Sequence, residues 1–401
     1  MTRTSVVPVG RVLLPVLVGL LGAWGCVRFD TEEEAYCQRN PETCGTPSGD
    51  AGTSPPAPVE RVSARGQFSL ALRSDGSVWA WGKNEEGQLG DADTSVHKAP
   101  TRVENLGGVS QVAAGFSHSL ALRAGKVWFW GAKASGAVQL PLVEAPGLSG
   151  ITAIAAGAYH SLALDPSKSV WIWGRHGATI NGDTPRLVEG LPRIKAIAAG
   201  NAHSLALGED GSVWAWGNNE FGQLGLDSPS ESDTPVKVAG LPATIEFIAG
   251  GGNHSLARDA TGAVWAWGNN NHGQLGDGTI GGKRSTPERV VGLGDITDVA
   301  AGYEHSLALT RDNDIQAWGR DSSGQLGNDA EQYNPTSQDR ALPVKTYGLT
   351  RVTSLSAGYS HSLAILNGGL LFAWGSNQGE RLGVGQAGDT LGTPRPVTFL
   401  P

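Results

Sequence analysis

Six histidines recur at one place in a repeated motif: His118, His160, His203, His254, His305 and His361, each followed by a serine. Imidazole titrates near neutral pH and is a common metal ligand and general base, so such a row raises the question of a metal centre or an acid–base site. Either would need several rings inside one coordination sphere or beside one substrate. Equivalent positions of a repeated unit are spread around the units instead, and in the first unit Phe68 takes the place without breaking the pattern. The row therefore reads as structural, each imidazole bonding backbone groups at a strand start.

The remaining chemical motifs are weak. Residues 383–388 match the Gly-x-Gly-x-x-Gly dinucleotide fingerprint by letters, but no strand, helix and βαβ unit surround them. Asp312-Asn313-Asp314 and Asp277-Gly278-Thr279 are acidic turns without the spacing of a calcium loop. Asn253-His254-Ser255 is a nominal glycosylation sequon inside the repeat. The recurring positions supply Gly, His, Ser, Trp and Gln, with no recurring carboxylate pair for glycosidic or phosphoryl chemistry. No catalytic residue, metal or cofactor is expected, and the chain is not read as an enzyme.

The elements that carry these residues follow from the repeat. A glycine closing a Trp-containing segment recurs at Gly82, Gly131, Gly174, Gly217, Gly268, Gly319 and Gly375, at steps of 43 to 56 residues. Each unit holds four short apolar runs bounded by Gly, Asp and Pro, which read as strands. Asp210-Gly211 supplies the positive φ of a hairpin turn. Seven units of four antiparallel strands predict an all-β fold, a seven-bladed β-propeller over residues 61–401. Trp214 and Trp216 lie two apart and so share a face, as do Trp79/Trp81, Trp128/Trp130, Trp171/Trp173 and Trp265/Trp267. Recurrence in unit after unit makes them blade packing rather than a sugar platform.

The motif Ala-Gly-x-x-His-Ser-Leu-Ala-Leu, followed by Val-Trp-Ala-Trp-Gly and Gly-Gln-Leu-Gly, resembles the repeat of the regulator of chromosome condensation family. The resemblance covers residues 61–401 and implies a seven-bladed propeller. The family's eukaryotic founder is a nuclear guanine-nucleotide exchange factor, many members are protein-binding scaffolds, and an exported bacterial relative inhibits β-lactamases. Fold resemblance alone carries none of these functions across.

The beginning of the chain suggests an address. Arg3 and Arg11, an apolar run over residues 12–21 and a small-residue stretch ending in Cys26 have the order of a secretory signal over residues 1–25. Cys26 resembles the lipidated cysteine of bacterial lipoproteins, although Ala23 and Trp24 depart from that pattern. Ordinary signal cleavage and an uncleaved anchor stay open. With Cys26 lipidated, Cys37 and Cys44 remain as a disulfide pair, feasible in an oxidising compartment. Residues 26–60 then form a Cys-containing linker, Pro- and Gly-rich over 46–58. After the first thirty positions no run of eighteen apolar residues occurs. The net charge of −8 argues against nonspecific nucleic-acid binding, which rests on clustered Lys and Arg.

Specific function should lie where the units differ. Long polar loops follow the Gly-Gln-Leu-Gly turn in units one, four, five, six and seven, for example over 91–98, 227–233, 277–285 and 328–340; units two and three run short through 132–140 and 175–184. Equivalent loops share a side, giving a rim with a notch at units two and three. A protein partner is expected to dock there on Lys133, Arg175, His176, Lys283, Arg284, Tyr333 and Arg340. The expectation is a monomeric, non-enzymatic protein-binding module displayed on the cell envelope by a lipidated stalk. A secreted enzyme inhibitor and an exchange factor are the alternatives.

Overall fold

A computed structural model describes residues 57–399, except 92, 134–136, 178, 181, 330–337 and 386–387. Cys26, Cys37, Cys44 and Tyr333 lie outside the described residues. Among the described residues no helix is long and apolar enough to cross a membrane.

Turn chemistry and strand-length apolar runs produce one blade per repeat. In blade 1, β1 (Val59–Ala64), β2 (Phe68–Arg73), β3 (Val78–Gly82) and β4 (His97–Arg102) pair antiparallel in chain order. The first strand thus begins at Val59, two residues before the boundary expected from the repeat. Blades 2, 4, 5, 6 and 7 repeat the order over residues 109–144, 194–237, 245–289, 296–345 and 352–396. Blade 3 departs from four strands. Its third strand (Val170–His176) pairs with a two-residue strand (Thr179–Ile180) and with a short fourth strand (Arg186–Leu187). The result is a seven-bladed β-propeller.

Burial grades outward from the axis. The first strands contact those of the neighbouring blades and therefore line the centre. The second strands are almost wholly buried, as in Phe68–Arg73 and His203–Gly208. The third strands insert Trp81, Trp130, Trp216, Trp267, Trp318 and Trp374 between blades, each at most 2% exposed. Burying an aromatic side chain of this size contributes about 2–3 kcal/mol from apolar area alone. The outer indoles are anchored to their own hairpin turns: Trp214 Nε1 donates to Ser212 Oγ at 3.0 Å, and Trp265 Nε1 to Asp259 Oδ2 at 3.1 Å. Among the described residues the indoles pack between or along the blades, as the recurrence implied.

Closure of the ring needs no strand exchanged between the ends of the domain. Val59 N–H donates to Gly369 O of blade 7, and Phe399 meets Trp79 and Trp81 edge-on at 5.4 and 6.2 Å. Around the axis an unbroken girdle of amide bonds links each blade to the next. Gly66 donates to Gly115, Phe116 to Ala158, Ala158 to Asn201, Asn201 to Gly251, Gly252 to Gly302, Tyr303 to Gly358, and Tyr359 back to Gly66, at 3.0–3.3 Å. A blade alone cannot satisfy these groups, so the girdle makes the ring cooperative.

Alternating strand direction sorts the connections into two faces. Turns between first and second strands lie with the loops between third and fourth: Lys83 N–H donates to Gln67 O, Asn218 to Ala202 O, and Arg320 to Glu304 O, all at 2.8–2.9 Å. The Asp-Gly hairpins occupy the opposite face. The loops and the residues around the axis therefore share one surface, the one on which the units differ most in length.

Candidate functional site

The histidine row begins the second strands, as expected; His118 makes the expected backbone bond, to Ala158, but the partner shared by the row is a side chain. Each Nε2 meets the serine hydroxyl of the next blade at 3.0 Å: His118 with Ser161, His160 with Ser204, His203 with Ser255, His254 with Ser306, His305 with Ser362, and His361 with Ser69. Ser69, Ser255, Ser306 and Ser362 also donate to a carbonyl of the preceding blade, for example Ser255 Oγ to Gln223 O at 2.9 Å. A hydroxyl has one proton, so His203 must be the Nε2–H donor, leaving Nδ1 bare. Nδ1 of His160, His203, His254, His305 and His361 is indeed buried without a partner among the described residues. Burial pushes His118 down to about 4 and His254 and His305 to about 3, and holds His160, His203 and His361 well below the ordinary range. These imidazoles are neutral seam fasteners with no access to substrate.

The Gly-Gln-Leu-Gly turn supplies the other half of the seam. Its second-residue carbonyl accepts both the serine and the buried indole: Gln88 O takes Ser119 and Trp130, and Gln274 O takes Ser306 and Trp318, at 2.7–2.9 Å. The glutamine side chain braces its own turn, Gln274 Oε1 accepting His272 N–H at 2.9 Å. In blade 7 the turn reads Glu380-Arg381-Leu382-Gly383, and Arg381 O takes over the role for Ser69 and Trp81. Gly383 sits where a Cβ would lie 2.6 Å from Trp81 Nε1, so the letters of the dinucleotide fingerprint mark a close approach between blades.

Sequence reading placed His176 on the docking surface, and the structure corrects this. Alternation along the third strand of blade 3 turns Arg175 outward and His176 inward, where it is 2% exposed. His176 Nε2 lies 2.9 Å from Ser204 Oγ, which His160 also bonds. Blade 3 lacks the Gly-Gln-Leu-Gly turn, and His176 takes the place of its carbonyl. Burial lowers its pKa to about 4, against a smaller upward pull from Asp233. As the acceptor of the Ser204 proton it must carry its own on Nδ1.

The other expected docking residues face the shared surface to differing degrees. Arg175, Lys283 and Arg340 are exposed, while Lys133 and Arg284 are half-buried. Arg284 is tied to Asp277 at 2.9 Å. They do not converge on one point, since they belong to blades 2, 3, 5 and 6. The acidic turns are also structural: Asp314 pairs with Lys345 at 2.7 Å. In the nominal sequon, His254 and Ser255 are fully buried. Among the described residues one group of metal-ligand type, Asp91, Asp93 and His97, has its ligand atoms within 4.8 Å of one another. His97 Nε2 is 2.7 Å from Asp91, whose other oxygen accepts Asn84 Nδ2 at 2.8 Å, so the trio staples its loop as Asp277 and Arg284 do in blade 5.

What sequence reasoning missed is the centre of the face. An aromatic arc runs from Tyr303 to Tyr359, stacked at 4.3 Å, then to Phe116 at 5.9 Å and Tyr159 at 6.0 Å. Burial, with the neighbouring Tyr359 and Glu304, raises the pKa of Tyr303 and keeps its hydroxyl protonated. Beneath the arc Arg65 crosses the axis from blade 1 to Gly250 O at 2.8 Å and to Ala199 O, on the far wall. Burial lowers its pKa to about 10, so it stays charged at neutral pH. Arg65 stands where the six other units have glycine, and there a Cβ would strike the unit's own histidine, as at Gly200 against His203. In blade 1 that histidine is Phe68, which packs with Val112, Ala114 and Trp130. The paired departure from the repeat was visible in the sequence; the guanidinium's destination was not.

A ring of seven blades sealed by His–Ser contacts and plugged at the axis defines a β-propeller scaffold with one variable face. Residues 148–401 match the RCC1-like domain, and residues 75–122 and 59–88 match the regulator of chromosome condensation (RCC1) repeat. The chain belongs to this family. It is 30% identical over 370 residues to the ultraviolet-B receptor UVR8 of Arabidopsis thaliana, covering 85% of this chain and 82% of that protein. It is 30% identical over 361 residues to the mitochondrial RCC1 domain-containing protein RUG3 of the same plant, covering 84% of this chain and 69% of that protein. Among solved structures, Prp20p of Saccharomyces cerevisiae superposes with a TM-score of 0.73 at 25% identity, over 82% of this chain and 88% of that one. Human WBSCR16 gives 0.71 at 25% identity, over 80% and 94%.

Proposed function

We propose that the chain is a non-enzymatic protein-binding module that docks its partner on the face carrying the aromatic arc and the third-to-fourth-strand loops. One observation carries this reading. The histidines and serines able to do chemistry are bound to one another inside the seams, whereas the residues that vary between units gather on one surface. The structure of the similar Prp20p is described together with its binding to Gsp1p and histones, which supports a propeller of this family holding protein partners. The relatives named above are eukaryotic; the export-type N-terminus places this chain, in our reading, at a cell envelope on a stalk lipidated at Cys26, with a Cys37–Cys44 disulfide in the linker. A monomer suffices, because the ring closes within one chain.

Cross-linking the full chain in envelope fractions tests the reading. Recovery of a cross-linked protein should be lost when Tyr159→Ala, Arg284→Glu and Arg340→Glu are combined. It should survive Glu209→Arg with Arg311→Glu on the hairpin face. The reverse pattern would overturn the assignment of the face. Cys26→Ser should move the protein from membrane to soluble fractions; unchanged partition would remove the tether. Inhibition assays on exported hydrolases would separate an inhibitor from a passive scaffold.

A further inference from the structure

Charge pairing on the docking face is uneven. In the long-looped blades several cations are already matched: Lys83 to Glu85 at 2.8 Å, Lys98 to Glu380 at 3.8 Å, Arg284 to Asp277 at 2.9 Å, and Arg320 to Glu304 at 2.5 Å, while Lys283 donates to Glu220 O at 3.1 Å. In blades 2 and 3, where the loops are short, Lys133 and Arg175 make no ion pair among the described residues. Each lies on a strand whose backbone bonds to a turn that carries an aromatic residue. Ala132 N–H, one residue before Lys133, donates to the carbonyl of Ser117, which follows Phe116, at 2.8 Å. Arg175 N–H donates to Tyr159 O at 2.7 Å. Phe116 and Tyr159 lie 6.0 Å apart, and Tyr159 is 49% exposed despite its size. Two cations without ion pairs among the described residues thus stand on the strands that bond to the turns of two adjacent rings.

We propose that this notch takes an acidic protein segment bearing an aromatic or large aliphatic side chain, its carboxylates on Lys133 and Arg175 and its apolar group on Phe116 and Tyr159. The inference rests on the docking reading above and narrows it to one partner chemistry and one sector of the ring. On a chain of net charge −8 an unmatched cationic pair near the exposed Tyr159 and the half-buried Phe116 is complementary to such a segment. Two cations are too few to track a nucleic-acid backbone, whose affinity accumulates over many neutralised phosphates. Arg340 is also exposed and unpaired among the described residues, but it stands in blade 6, away from this sector.

The full chain is titrated with fluorescent peptides of alternating Glu and Tyr, of Gln and Tyr, and of Glu and Ser, with single-stranded DNA and phosphatidylglycerol vesicles in parallel. The Glu–Tyr peptide should bind best, and more weakly at high salt. Lys133→Glu with Arg175→Glu should weaken it by about tenfold or more, and Tyr159→Ala should erase its advantage over Glu–Ser. Lys133→Gln with Arg175→Gln gives a smaller loss and guards against a folding defect in the reversed variant, which thermal melts check directly. Equal binding of Gln–Tyr and Glu–Tyr overturns the proposal, as does an equal loss from Arg284→Glu with Arg340→Glu. Stronger binding of DNA or vesicles overturns the partner class. Should the cross-linked partner be lost only through the blade 5 and 6 variants, the docking face stands and this sector fails; should neither set matter, the docking reading itself fails.

Discussion

At the seam between blades 4 and 5, Ser255 accepts from His203 and donates to Gln223 O, and Trp267 Nε1 donates to the same carbonyl at 2.8 Å. At the seam between blades 3 and 4 the turn that supplies that carbonyl is missing. Ser204 instead lies between His160 and His176, and Trp216 Nε1 meets no acceptor among the described residues. The two seams show that the repeat preserves a role, not a residue. A buried hydroxyl must place its proton, and when the turn is lost the nearest inward-facing side chain is recruited. The recruitment is incomplete, because one imidazole nitrogen replaces a carbonyl that served two donors.

Acid tests what the two seams share. The unfolded chain binds protons at histidine near pH 6.5, while the folded rings stay neutral until about 4 or below, so unfolding takes up protons in that window. Stability present above pH 6.5 is therefore lost as pH falls, by about 1.4 kcal/mol per pH unit per histidine. Over the histidine row and His176 this sums to several kcal/mol by about pH 5.5. Urea melts that stay flat from pH 7 to 5 would show that the rings are not held neutral.

The close approach of histidine and glycine is the next largest effect. A Cβ at Gly200 would lie 1.9 Å from His203 Cε1, so Gly200→Ala should destabilise the ring by about 2–3 kcal/mol. Because Arg65 is accommodated in blade 1 where Phe68 replaces the histidine, the added cost should shrink in a His203→Phe background. A double-mutant cycle that shows additivity would refute the coupling.

His176→Ala should cost about 1–3 kcal/mol by thermal or urea melting, because it strands the Ser204 hydroxyl and leaves a cavity. The neighbouring Arg175→Ala should stay within about 0.5 kcal/mol, as expected of an exposed side chain. Similar values for both would remove His176 from the seam. The finest comparison sets Trp267→Phe against Trp216→Phe. Both lose the same atoms, but only the first gives up a hydrogen bond, so it should cost about 1 kcal/mol more. Equal losses would mean that Trp216 has found an acceptor after all.

Much of this architecture was legible in the sequence. Seven glycine-terminated Trp segments gave the blade number, and Asp-Gly between apolar runs gave the hairpins. The identity of the histidines' partners was not legible. Ser255 lies 52 residues beyond His203, and nothing local distinguishes a hydroxyl of the next unit from a backbone carbonyl of the same one. His176 was misread because it follows Arg175 in a short polar stretch, and strand alternation separates the two only once the register is fixed. The role of Arg65 was not legible, since its carbonyl acceptors lie 134 and 185 residues away.

Short-range physics therefore settled the blades. Turn residues, strand periodicity and the paired indoles act within a unit, and a single unit displays them in full. Closure decided the rest. The amide girdle, the His–Ser seams, the Arg65 plug and the aromatic arc over it all join groups from different blades, and they exist only when seven units meet around one axis. The proposed docking face inherits that dependence, because Phe116, Tyr159, Tyr303 and Tyr359 become neighbours through the ring and not through the chain.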